Sequence, residues 1–216
     1  MRKLPARFYM GFHFITGIIL SALFVWIFVE ITENMMSGDA FVLIDQWVVR
    51  HVLLFRTTSV TSVMETLTNL GGIKIIGPCS LVIIAYLILK KDNDTASGLF
   101  ATILGGILLN NLLKIIIHRP RPLSETTLVT VYGWSFPSGH AMNSMIFYGI
   151  IAYFLIRGIR SWISKSVIIT MALGIVLAIG LSRIYLQVHY LSDVTAGFAG
   201  GLFWLSVCIT VMEMMK

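Results

Sequence analysis

Three short stretches hold most of the polar residues that interrupt otherwise apolar sequence, and their residue types suit the handling of a phosphate. The first is KIIIHRPRP, where Lys114 lies about two helical turns before Arg121 and the flanking Pro120 and Pro122 stop a helix and fix the arginine in a turn. The second is FPSGHAM. Here Pro137 and Gly139 shape a turn, Ser138 can cap a helix, and the free backbone N–H groups of a helix start favour an anion. The third is SRIYLQVHYLSD, in which His189 and Asp193 are four residues apart, hence on one face if the stretch is helical. That spacing lets a carboxylate accept the Nδ1 proton of the imidazole and leaves Nε2 with a lone pair pointing away. A nucleophilic histidine needs that tautomer.

Taken together, Lys114, Arg121 and Arg183 are three fixed cations that match the three non-bridging oxygens of a phosphoryl group, and Ser138 with the Gly139 backbone adds neutral donors. In phosphoryl transfer a protein supplies chiefly positioning and stabilisation of charge on those oxygens, with attacking and leaving groups in line. His140 and His189 suit the two ends of that line. One attacks phosphorus to make a phosphohistidine; the other, protonated, donates to the departing alkoxide and then activates water.

The elements that must position these residues are membrane spans. Of 216 residues, 57% are apolar and 12% charged, against roughly 25% charged in soluble domains, and the mean hydropathy is +0.88. A bilayer core of about 30 Å takes roughly 20 apolar residues per helical crossing. Six runs qualify, at about residues 10–31, 71–89, 96–117, 141–156, 167–181 and 194–212. The predicted fold is an all-α bundle of six transmembrane helices forming one domain over residues 1–216. The N-terminal run is longer than the 7 to 15 residues of a signal-peptide core, so it reads as a retained first span. Cys79 and Cys208 lie inside apolar runs and offer neither a disulfide framework nor a metal site.

Cations in short loops stay on the cytoplasmic side. With both termini cytoplasmic, that rule explains Arg2, Lys3, Arg7, Lys90, Lys91, Arg157, Arg160, Lys165 and Lys216. It leaves Arg50, Arg56, Lys74, Lys114, Arg119, Arg121 and Arg183 towards the outer face, where charges near hydrocarbon point to function. For Arg50, Arg56, Lys74 and Arg119, snorkelling to the interface is an equal reading. The net charge of +6 is therefore a matter of topology and not of nucleic acid. Between the first two runs, AFVLIDQWVVRHVLLFRTT carries Asp45, Gln46, Arg50 and His51 at about helical spacing and is short for a span; it predicts an interfacial helix on the outer face, either a connector or a lid.

The order of motifs resembles the three-part signature of the type-2 phosphatidic acid phosphatase superfamily: Lys114 with six residues to Arg121-Pro122, then Pro137-Ser138-Gly139-His140, then Ser182-Arg183 with five residues to His189 and three to Asp193. Every signature position is matched, and the six-span layout with its roughly 40-residue outer segment agrees. The resemblance implies a helical catalytic core like that of the acid phosphatases and vanadium haloperoxidases. It further implies His189 as nucleophile oriented by Asp193, His140 as general acid and base, and Lys114, Arg121, Ser138, Gly139 and Arg183 as phosphate ligands. It implies work without a metal or other cofactor, which suits a chain where only Asp193, of ten acids, falls within the motifs. Phosphate, vanadate or tungstate should occupy such a site.

The substrate expected at an outer-face phosphate site is a lipid phosphate whose tail stays in the bilayer. Tyr132, Trp134, Phe136, Tyr185 and Tyr190 would frame it, or belong to an interfacial belt. Among bacterial family members of this size, the resemblance points to phosphatases of phosphatidylglycerophosphate, undecaprenyl diphosphate and phosphatidate, the first being favoured. A lipid phosphotransferase would use the same phosphohistidine. A lipid transporter fits less well, because transporter sites lie near the midplane within repeated halves, and this chain has no internal repeat.

Overall fold

Short polar residues start four of the eight α-helices in the computed structural model, which describes residues 6–38, 40–122 and 132–215. Thr57 accepts from the Val60 N–H, Asp92 from Thr95, Ser138 from Ala141 and Ser161 from Ser164, each satisfying a donor that has no partner within its helix. The helices so delimited are α1 (Ala6–Met36), α2 (Ala40–Val52), α3 (Thr58–Leu70), α4 (Ile73–Leu89), α5 (Asn93–Ile117), α6 (Gly139–Arg157), α7 (Trp162–Tyr185) and α8 (Leu191–Met214), with a 3₁₀ turn at Leu53–Phe55. The described residues contain no strand. Within the expected domain, residues 1–5, 39, 123–131 and 216 lie outside the described ones, and with them the inner-face cations Arg2, Lys3 and Lys216.

Five helices, α1 and α5 to α8, are each long and apolar enough to cross a bilayer, and α3 and α4, joined at a 40° bend, reach that length and hydropathy only as a pair. The chain is a multi-pass membrane protein. Its second crossing differs from expectation. Alone, α4 has 17 residues, about 25 Å of helix, and the turn at Gly71 and Gly72 joins it to the amphipathic α3. Tyr148 of α6 clasps that break by donating to the Leu70 carbonyl at 3.1 Å.

Close helix approach explains why the motif-bearing ends converge. On α8, Gly197 and Gly201 stand one turn apart and face α6. A methyl on Gly197 would sit 2.8 Å from the Ser138 carbonyl, and one on Gly201 would sit 2.8 Å from Met145 Cβ. Small residues at this spacing let membrane helices pack backbone to backbone, where lipid gives no hydrophobic drive for association. Outward faces carry Trp26, Leu81, Val82, Ile115, Ile116 and Leu177, all exposed to the surroundings of the bundle, as lipid contact requires.

α5 to α8 alternate in direction, so the ends of α5 and α7 and the starts of α6 and α8 share one end of the bundle. Lys90, Lys91, Arg157, Arg160 and Lys165 mark the other end. At the motif end Ile31, Met35, Phe136 and Ala196 make one buried cluster. Above it, Val52 of α2 with Val60 and Met64 of α3 covers Tyr185, Leu186 and Val188. The stretch between the first two expected spans thus consists of two helices packed on the motif end, where the sequence predicts one.

Candidate active site

Tight turns deliver the three motifs. α5 stops at His118, which adopts a left-handed conformation (φ 50°, ψ 34°) and donates its N–H to the Lys114 carbonyl. The helix therefore ends three residues ahead of Arg121, before Pro120 and Pro122 come into play. α7 ends at Tyr185, and Gln187 (φ 56°) turns the chain towards α8. The Val188 N–H closes this turn on the Arg183 carbonyl at 3.2 Å, while the Gln187 amide donates to the Val49 carbonyl of α2 at 2.9 Å.

His189 and Asp193 meet, though not as two residues on one helical face. His189 precedes α8, and Tyr190 is the residue that caps it. Asp193 reaches back from the third helical position to accept the Tyr190 N–H at 2.9 Å, and the same oxygen, Oδ2, accepts His189 Nδ1 at 3.3 Å. Both side chains are buried. On the far side of the ring, Nε2 lies 3.2 Å from Arg121 Nη1. Arginine only donates, so Nε2 is the acceptor, the ring proton sits on Nδ1, and the tautomer is fixed by contacts at both ends. Burial, joined by the charges of Arg183 and Arg121, pushes the His189 pKa down to about 4 against the opposing pull of Asp193. The ring is neutral at pH 7 and its lone pair is intact.

Arg121 contacts that lone pair, and Lys114 and Arg183 lie within range of the Arg121 charge. Arg121 donates to the carbonyls of Val188 at 2.7 Å, Gly133 at 3.0 Å and Tyr132 at 3.2 Å. Burial lowers its pKa, with the Asp193 charge opposing. Lys114 Nζ donates to the Trp134 carbonyl at 2.7 Å. Arg183 is buried; Nη1 donates to Thr68 Oγ1 of α3 at 2.6 Å, and Nε has no hydrogen-bond partner. A buried guanidinium N–H without a partner is a donor ready for an anion.

The second motif closes the ring of residues. The Ser138 N–H donates to the Asp193 carbonyl at 2.9 Å, which ties the start of α6 to the start of α8. Gly139 faces Asn110 of α5, whose Oδ1 would lie 3.1 Å from a methyl there. His140 packs against the α3–α4 break, with Nε2 3.4 Å from the place of a methyl on Gly72, and it lies within range of the charges of Arg183, Arg121 and Lys114. All eight residues singled out in the sequence thus share one end of the bundle. Among the described residues, no group of three or more His, Cys, Asp or Glu side chains is gathered in a way that could hold a metal ion.

Several participants were not foreseen. Arg119, for which snorkelling was an equal reading, instead pairs with Asp193 Oδ1 at 2.5 Å and with Asp45 Oδ2 at 2.8 Å. Asp45 of α2 is 1% exposed. The available signal was a lone acid in a mainly apolar outer helix together with a cation inside the first motif. Thr68 lay in a segment with no predicted role. The aromatic frame also divides: Phe136 and Tyr185 are buried, Tyr190 lies under Arg119, and Tyr132 and Trp134 are exposed. Lys74 and Arg50 are exposed.

The PAP2 superfamily model matches residues 95–215, a stretch that contains all eight residues. Phosphatidylglycerophosphatase B of Bacillus subtilis (strain 168) is 34% identical over 161 residues, 73% of this chain and 78% of that protein. The crystal structure of a transmembrane PAP2-type phosphatidylglycerolphosphate phosphatase from Bacillus subtilis superposes with a TM-score of 0.83 at 30% identity, covering 91% of this chain and 98% of that one. Aquifex aeolicus LpxE, at 23% identity, shares the fold with a TM-score of 0.56 over 78% of this chain and 93% of its own. The six-crossing helical bundle, its ring of cations and histidines and these relatives agree: the chain belongs to the PAP2 superfamily and is a membrane lipid phosphatase.

Proposed function

We propose that the chain hydrolyses phosphatidylglycerophosphate to phosphatidylglycerol and phosphate through a phosphohistidine on His189, at the extracytoplasmic face. The observation that carries this reading is the fixed His189 tautomer, with Asp193 on Nδ1 and the Nε2 lone pair directed at Arg121. Both Bacillus subtilis matches, by sequence and by structure, are named for this lipid, which supports the choice of substrate. The distribution of Lys90, Lys91, Arg157, Arg160 and Lys165 at the opposite end supports an outward-facing site and cytoplasmic termini.

In the first half-reaction the phosphoryl oxygens take over donors that Arg121 and Lys114 now give to carbonyls, and Arg183 adds its unused Nε–H. Release of Arg121 from Nε2 frees the lone pair. Nε2 then forms a bond to phosphorus as the P–O bond to the glycerol breaks, and protonated His140 donates its proton to the departing alkoxide. The substrate's negative charge offsets Arg183, Arg121 and Lys114 around His140 and so lets that ring hold the proton. Asp193 stabilises the cationic phosphohistidine through the Nδ1 proton. In the second half-reaction neutral His140 takes a proton from water, the oxygen bonds to phosphorus, and the P–N bond breaks with its electron pair returning to Nε2. Ser138 and the Gly139 N–H stand by the phosphoryl group at the start of α6.

Phosphate release by the purified protein in detergent with EDTA tests the reading, with phosphatidylglycerophosphate, phosphatidate and undecaprenyl diphosphate compared for wild type and His189→Ala. The expected result is fastest release from the first lipid and none from the variant. Faster release from undecaprenyl diphosphate would reassign the substrate, and release by the variant within tenfold of wild type would remove His189 from its role.

A further inference from the structure

Arg119 has no part in the steps above, yet its guanidinium is held on every side. It lies over the Tyr190 ring, with Cζ 4.2 Å from the ring centroid. Nη1 donates to Asp193 Oδ1 at 2.5 Å and to Ser192 Oγ at 2.7 Å, while Nη2 donates to Asp45 Oδ2 at 2.8 Å. Asp45 is the contribution of the surface helix α2. Its Oδ1 accepts the Ser192 N–H at 2.9 Å, and its Oδ2 also accepts the Ser192 hydroxyl. Asp45, Ser192 and Asp193 are each at most 1% exposed.

The geometry assigns the two oxygens of Asp193 to different partners. Oδ2 serves His189 and the Tyr190 N–H, and Oδ1 serves Arg119. With only one oxygen held, the carboxylate could turn about its Cβ–Cγ bond; with both held, the acceptor for the His189 proton stays in place. Charge acts the same way. Asp45 and Asp193 are two buried carboxylates bridged by one cation, and without that cation their like charges would push the two carboxylates apart. A displaced or rotated Asp193 would no longer orient the ring, which for a catalytic histidine costs several orders of magnitude in rate.

We propose that Arg119 is a positioning residue for the reaction at His189, acting through Asp193, and that Asp45 is a second positioning residue that fixes Arg119 from α2. The outer helix is then part of the catalytic apparatus and not only a connector. The proposal rests on the reading that His189 attacks phosphorus. Neither Arg119 nor Asp45 touches Lys114, Arg121 or Arg183, so substrate binding should be spared.

The test uses the full chain in detergent with phosphatidylglycerophosphate, measuring kcat and KM for wild type, Arg119→Gln, Arg119→Lys, Asp45→Asn, the Asp45→Asn/Arg119→Gln double variant and His189→Ala, with a melting temperature for each. Loss of an outer-layer partner of a catalytic group commonly costs about 10- to 100-fold, so Arg119→Gln should lower kcat about 100-fold and Asp45→Asn about tenfold, with KM within about threefold. Arg119→Lys should recover about tenfold over Arg119→Gln, and the double variant should be no slower than Arg119→Gln, because Asp45 acts through Arg119. If Arg119→Gln fails to fold, the Lys and Asn variants carry the test. Values of kcat within threefold of wild type, a rise in KM alone, or losses that follow melting temperature and are not relieved by Lys would each overturn the proposal. Should His189→Ala be inactive while the Arg119 and Asp45 variants are normal, the proposal falls and the nucleophile reading stands; an active His189→Ala brings down both.

Discussion

His189 and Arg121 stand 3.2 Å apart, yet the chain holds them by different means. His189 sits in a closed turn whose polar groups bond to α7, α8 and α2, and it is 2% exposed. Arg121 sits between two prolines and gives its donors to the carbonyls of Val188, Tyr132 and Gly133, beside the exposed side chain of Tyr132. A phosphate cannot improve on the first arrangement, because Asp193 already occupies Nδ1. It can take over the second, because charged phosphoryl oxygens are stronger acceptors than neutral carbonyls. On the proposed mechanism this is a division of labour: the attacking ring is oriented before the substrate arrives, while the donors for its phosphate are parked on the backbone until it does.

The sharpest way to break the comparison is at the nucleophile. His189→Ala should lower phosphate release by about 10⁴-fold or more, as loss of an attacking residue does elsewhere, and a phosphate assay in detergent checks this. Asp193→Asn should follow at about 10³- to 10⁴-fold in kcat with little change in KM; a KM effect instead would place Asp193 in substrate binding. Arg121→Gln should cost about 10²- to 10³-fold and, unlike the two changes before it, should raise KM or weaken inhibition by vanadate. Equal KM values for all three would erase the distinction between the two regions.

Proton chemistry sharpens the same contrast. The pKa of about 4 for His189 means that the free protein keeps a neutral ring down to that pH. Protonation below it removes the lone pair, so kcat/KM should fall on the acid side near pH 4 and not near the ordinary histidine value of about 6.5. A pH profile of kcat/KM measures this, and an acid limb at the ordinary value would mean that burial does not govern the ring. The smallest effect is expected from chelation: excess EDTA should leave the rate unchanged, and a rate restored only by Mg²⁺ would contradict the mechanism proposed above.

Much of the site was legible in the sequence because its parts are local. The Lys114 to Arg121 spacing, the Ser138 cap and the His189–Asp193 pair each lie within one short stretch, and the charge-free runs between them locate the helices. Even there one physical reason changed: His189 and Asp193 meet through a capping interaction at the start of α8, which also requires residues three and four apart. The Asp45–Arg119–Asp193 bridge was not legible, since its members come together across 74 residues and no periodicity links them. The Thr68–Arg183 bond spans 115 residues and depends on the bend between α3 and α4. In a membrane protein such pairs hide well, because a single charge in an apolar helix reads equally as a snorkelling residue or as one half of a buried bridge.

In the proposed mechanism His189 Nε2 is the attacking atom. Rapid base-quenched turnover of phosphate-labelled phosphatidylglycerophosphate, followed by mapping of the labelled peptide at alkaline pH, tests this. The expected result is a base-stable, acid-labile phosphoramidate on His189 that disappears in His189→Ala. Label on His140, or label that persists in the His189→Ala protein, would contradict it.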